Sequence, residues 1–225
     1  MKLVKVTNEV RYLEGGKLYK PIEELYIDLS KQQLKDKIKT PIVTGMRIKD
    51  DKNKTIMLVE SIRSVIDIEQ PTDKKSCKDT IMQFVRLVDS KLGIPQVTRY
   101  GVRSTWIHEY KGSFQELLNM CKESIFRDST LVKNAGDIGL VLDYYKSRGK
   151  KSSATFGPME IAKIEKQFLS YGINEVTPIF LYTDIDVGDI VTKKFSLEFL
   201  NKFIDEALEE GERISLEIAK MVGLK

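Results

Sequence analysis

Residues 97–110 read VTRYGVRSTWIHEY. The stretch is rich in β-branched and aromatic residues and reads as a strand. Side chains in a strand alternate between its faces, so Arg99, Gly101, Arg103 and Thr105 share one side. Tyr100, Val102, Ser104, Trp106, His108 and Tyr110 share the other.

Working outward towards the N-terminus, residues 76–92 carry Cys77, Ile81, Phe84, Val85, Val88 and Leu92 at helical spacing. Ser76 and Asp79 form a capping-box-like start, and Gly93 ends the segment. Residues 42–49 and 55–70 flank the polar turn DDKN as a hairpin. Ile56, Leu58, Ile62, Ile66 and Ile68 mark one face of its long second arm. Ser30 caps a short basic helix marked by Leu34 and Ile38 and ended by Pro41. The opening residues alternate through Leu3, Val4, Val6, Val10 and Tyr12, turn at Gly15-Gly16 and return as a strand over 22–29.

Towards the C-terminus, Ser113 and Glu116 form a capping box for a helix through Leu117, Met120, Cys121 and Ile125. Strands GLVLDYY (139–145) and SSATF (152–156) flank the basic turn KSRGKK (146–151). Pro158 suits the first position of a helix through Ile161, Ile164 and Phe168, stopped by Gly172. A strand PIFLYTDIDV (178–187) follows, and a long amphipathic helix over 196–222 closes the chain.

Long strands, hairpin turns and few crossovers imply an α+β protein. Its sheet is mainly antiparallel, with the helices 76–92 and 196–222 packed on one apolar face. Residues 1–225 are expected to form a single compact body, since no Pro- or Gly-rich linker divides them. The order of elements also allows two related halves, 1–93 and 94–225.

Composition narrows the function classes. Of the 225 residues, 41% are hydrophobic and 31% charged, enough for a sizeable core. No run approaches the roughly 18 apolar residues of a membrane span, and the opening residues lack the apolar core of a signal peptide. A cytoplasmic location with free Cys77 and Cys121 is therefore expected, and no membrane partner. Cys77, Cys121 and His108 are too few for a structural zinc site. Glycine-rich phosphate loops and a nucleophile elbow are absent. The net charge of +4 is uneven: residues 31–54 hold eight basic against three acidic residues.

Two surfaces carry candidate chemistry. Arg99 and Arg103, flanking Gly101, together with Lys146, Arg148, Lys150 and Lys151 of the turn, suit a polyanion or a protein partner. Gly101 would let a ligand or backbone approach closely. The plainer reading pairs the arginines with acids on a neighbouring strand, while Tyr100 and Trp106 fill the core. Asp184 and Asp186 point to one face of their strand, with Asp143 on a neighbouring strand, and this pair suits Mg²⁺ or Mn²⁺ in phosphoryl transfer or nuclease chemistry. The plainer alternative is a solvated strand end, or pairing with Lys193 and Lys194, with Asp189 capping a turn after Gly188. FGP (156–158) could open an anion-binding helix N-terminus.

The hydrophobic-D-x-D-V strand ending at Val187, the long helix after it, RYGVR (99–103) and FGP (156–158) occur in an order that resembles a sporadically distributed, uncharacterised bacterial family of α+β proteins. The resemblance spans about the last 130 residues and implies no activity. No catalytic constellation stands out. The leading expectation is a non-enzymatic binding or regulatory module for a protein or nucleic acid, without a resident cofactor. A metal-dependent enzyme at Asp184 and Asp186 is the alternative.

Overall fold

The computed structural model of the chain describes residues 1–13, 37–42, 45–126, 132, 134–147, 150–173 and 177–224, with the backbone alone at 37–42, 145–147 and 167. The strands are β1 (Lys2–Tyr12), β2 (Lys37–Ile42), β3 (Gly45–Asp50), β4 (Thr55–Glu60), β5 (Arg63–Glu69), β6 (Gln96–Tyr110), β7 (Leu140–Ser147), β8 (Lys150–Glu160) and β9 (Ile179–Lys194). The helices are α1 (Lys74–Leu92), α2 (Phe114–Ile125), α3 (Ile161–Phe168) and α4 (Leu197–Val222). Among the described residues these nine strands form one sheet in the order β2-β3-β4-β5-β1-β6-β9-β8-β7, and every pairing is antiparallel. The fold is therefore α+β with an antiparallel sheet. Among the described residues no helix is long and apolar enough to cross a membrane.

The order has an internal correspondence. In β3-β4-β5-β1 and in β7-β8-β9-β6 a hairpin feeds a last strand, which lies beside the first strand of its group. A long helix follows each last strand, α1 after β5 and α4 after β9. The first strands, β1 and β6, pair with each other at the centre, so the sheet runs unbroken across the turn at Gly93.

One face of the sheet lies beneath α1, α2 and α4. Val6, Val10, Met57, Ile66, Tyr100 and Val102 meet α1 and the first half of α4. Trp106, Phe156, Leu181 and Ile185 meet α2 and the second half of α4. Gly211 lets the middle of α4 come down on the strands: a Cβ there would lie 2.3 Å from Ser104 Oγ. On the opposite face, among the described residues, α3 and the residues after it pack over Val4, Ile107, Phe180 and Tyr182. The carboxylate of Glu69 holds this segment down, accepting the backbone N–H groups of Ser170 (2.8 Å) and Tyr171 (3.0 Å).

Several sequence expectations are corrected. Ile38 and Pro41 lie in strand β2, paired with β3, so Ile38 belongs to no helix. Proline is tolerated there because, among the described residues, β2 is an edge strand whose outer N–H groups have no partner in the sheet. The expected strand 22–29, the turn at Gly15-Gly16 and Leu34 fall outside the described residues. The long arm 55–70 folds back at Ser61-Ile62 into two strands, leaving Ile62 54% exposed. Antiparallel partners share a face, and Val59 pairs with Ser64. The inward positions therefore switch from odd in β4 to even in β5, which a single period-two face over both cannot follow. Asp73, not Ser76, caps α1, accepting from the Ser76 N–H at 2.7 Å. Pro158 lies inside β8 opposite Leu181, beyond the last β7 pair at Phe156, so no β7 partner misses its N–H. Strand β9 runs on to Lys194, carried by Ile190, Val191 and Thr192. Ser113 and Glu116 form the full reciprocal box expected of them.

Candidate binding face

The polar side of 97–110 faces away from α4, and register decides what meets it. Opposite β6, strand β9 sets Asp184 beside Thr105, Asp186 beside Arg103 and Gly188 beside Gly101. On the other flank, β1 sets Thr7 beside Arg103 and Glu9 beside Gly101. Beyond these, β8 adds Ser153 and Thr155, and β7 adds Asp143. Partners in a pair share a face, so all these side chains stand on the side without α1, α2 and α4.

Arg99 lies flat across the paired glycines. A Cβ at Gly101 would sit 2.2 Å from its Nη1, and one at Gly188 would sit 3.2 Å from its Nη2. The close approach foreseen at Gly101 is thus made by the chain's own guanidinium. Arg99 donates to Glu9 at 2.5 Å and to both oxygens of Asp186 at 2.9 and 2.8 Å. Glu9 also accepts from Arg11 at 2.9 Å, with Arg63 at 3.6 Å.

Arg103 makes a forked contact with Asp184: its Nε lies 2.9 and 2.7 Å from the two oxygens, and an η-nitrogen reaches the same carboxylate. Thr105 Oγ1 donates to Asp184 as well, at 3.0 Å. The hydrogen bonds to Asp184 hold the Arg103 guanidinium above its ordinary pKa. Only 3% of the Asp184 side chain is exposed, against 53% of Arg103, so the acid anchors a cation that solvent still reaches.

Asp184 and Asp186 do point to one face, but each carboxylate is taken up by an arginine, not by Lys193 or Lys194. Among the described residues no group of three or more His, Cys, Asp and Glu is placed to hold a metal ion. Asp189 pairs within β9 between Tyr100 and Lys150 and caps no turn. Lys193 lies over the Phe199 ring at 3.0 Å. The FGP segment is strand and opens no helix.

Lys150 and Lys151 of the basic turn do not stand together. Lys150 faces α4 and lies 3.5 Å from Glu206, whereas Lys151 stands on the open face 2.9 Å from Asp143. The side chains of Lys146 and Arg148 lie outside the described residues. In the other basic stretch, Arg47 and Lys49 belong to β3, with Lys49 3.3 Å from Asp51 and over the Tyr171 ring at 4.4 Å. Between β3 and β8 stand β4, β5, β1, β6 and β9. At about 4.8 Å per step that is roughly 29 Å, so Arg47 and Lys49 stand far from Lys150 and Lys151.

A buried polar relay went unread in the sequence. His108 Nε2 lies 2.8 Å from Ser215 Oγ, which lies 2.6 Å from Thr183 Oγ1, all sealed between the sheet and α4. Burial lowers the His108 pKa to about 4. The available signal was Ser215, a hydroxyl on the apolar stripe of α4. Cys77 and Cys121 are free and buried, and burial pushes their thiols up to about 12 and about 11. A cleft of about 490 Å³ between α1 and β3–β5 is lined by Thr55, Met57, Ile68, Gln70, Ser76 and Gln83, among others, with no lysine or arginine among the described residues that line it. No protein-family model matches the chain, and no curated protein matches it either.

Proposed function

We infer that the chain is a non-enzymatic binding or regulatory module, and that its partner is a protein engaged by the open sheet face over β1, β6, β9 and β8. One observation carries this reading: an ordered row of alternating arginines and carboxylates on a face that, among the described residues, α1, α2 and α4 leave uncovered. Its side chains are held by one another before any partner arrives, which lowers the entropy cost of binding. A nucleic acid would have to compete with Glu9, Asp184 and Asp186 for the same arginines, whereas a protein surface can present both signs.

A photo-crosslinking residue at Ser153, half-buried on the open face, tests this against the same group at Glu209, exposed on α4. A discrete crosslinked protein is expected from position 153 alone, and Arg103→Glu should abolish it. Equal products from both positions would refute the assignment of this face, and a nuclease-sensitive product would replace the protein partner with a nucleic acid. Titration with a single-stranded oligonucleotide is expected to show no salt-sensitive binding. Real phosphate contacts would give a slope of about −0.7 per contact in log affinity against log salt.

A further inference from the structure

We propose that the outer edge of β7 is a self-association site, where two copies of this chain pair antiparallel about a two-fold axis passing through Leu142. Strand β7 ends the sheet, and among the described residues none pairs with its outer side. Such an edge presents unpaired N–H and C=O groups to any strand that can reach it.

The two ends of the sheet carry different sequences. Edge strand β2 contains Pro41 with Lys37 and Lys39, residues that discourage strand addition. Residues 140–144 of β7 read LVLDY and contain neither proline nor lysine. There Val141 is 64% exposed and Leu142 38% exposed, one on each face of the strand.

Symmetry and charge select the register. With the axis perpendicular to the sheet, like faces are continuous, so the axis must pass through a residue and not between two. An axis at Asp143 sets two carboxylates against each other, which is destabilising. An axis at Tyr144 sets Leu142 opposite Lys146. An axis at Leu142 sets Leu142 against its own copy and Leu140 against Tyr144. Leu140 and Tyr144 already pack at the rim of the core beneath α2 and α4, so this register extends an existing apolar layer. Val141 then meets Asp143, whose charge Lys151 balances at 2.9 Å.

Sedimentation equilibrium over a wide concentration range, with crosslinking through one introduced cysteine, tests the proposal on the full chain. Wild type should move from the monomer to twice its mass, and Leu142→Lys should remain a monomer with an unchanged melting temperature. Opposed residues have Cβ atoms about 5 Å apart, so Leu142→Cys should form an intermolecular disulfide under mild oxidation. Thr192→Cys, exposed on β9, should not, and the native thiols are buried and silent. A wild type that stays monomeric throughout, or a dimer that survives Leu142→Lys and leaves Cys at position 142 uncrosslinked, would overturn the proposal.

Discussion

Lowering the pH from 7 to 5 is expected to cost the folded protein about 2 kcal/mol through His108 alone. Its imidazole is 7% exposed and meets Ser215 and, through it, Thr183, with burial holding its pKa near 4. In the unfolded chain the group titrates near 6.5. Above that pH both states carry a neutral ring and nothing is lost. As the pH falls from about 6.5 towards 4, the unfolded chain takes up a proton that the folded state refuses, so stability declines. The loss is about 3 kcal/mol at pH 4, and the full difference, about 2.5 pKa units at about 1.4 kcal/mol each, is about 3.5 kcal/mol below it. Urea unfolding of wild type and His108→Gln at both pH values isolates this share, because all other groups titrate alike in the two proteins. The wild type should lose about 2 kcal/mol more than the variant between pH 7 and 5. Parallel losses would refute the claim that burial keeps His108 neutral.

Three further outcomes are expected. Gly211→Ala should destabilise by about 1–2 kcal/mol in thermal melts despite the better helix propensity of alanine, because the new methyl meets Ser104 Oγ. Phe203→Asp should abolish cooperative unfolding, since Phe203 is 4% exposed in the core under α4 and an unpaired charge there costs about 4 kcal/mol or more. Added Mn²⁺ should leave the melting temperature of the wild type unchanged, because Arg99 and Arg103 occupy the carboxylates. A rise absent from the Asp184→Asn, Asp186→Asn double variant would reinstate a metal site.

Alternation and capping were local enough to read. The faces of 97–110, the box at Ser113 and Glu116, and the apolar stripe of α4 all depend on residues within a few positions of each other. Misreadings arose where a distant partner decided. Nothing near Pro158 reveals that β9 pairs with it, and nothing near Ile38 reveals that β3 claims it as a strand. The fold-back at Ser61 was hidden because period-two spacing persists on both sides while the inward parity changes.

The candidate face shows the same division. That Arg99, Gly101 and Arg103 share one side, and that Asp184 and Asp186 share one side, followed from sequence alone, because side chains in a strand repeat every two residues. That the two sides are the same side was decided by the β6–β9 register, which also set Gly188 against Gly101 and made room for Arg99 to lie between Glu9 and Asp186. These contacts join residues about 80 to 90 positions apart. Their strength depends on a geometry that the strand register sets and the packing of α1, α2 and α4 on the opposite face supports.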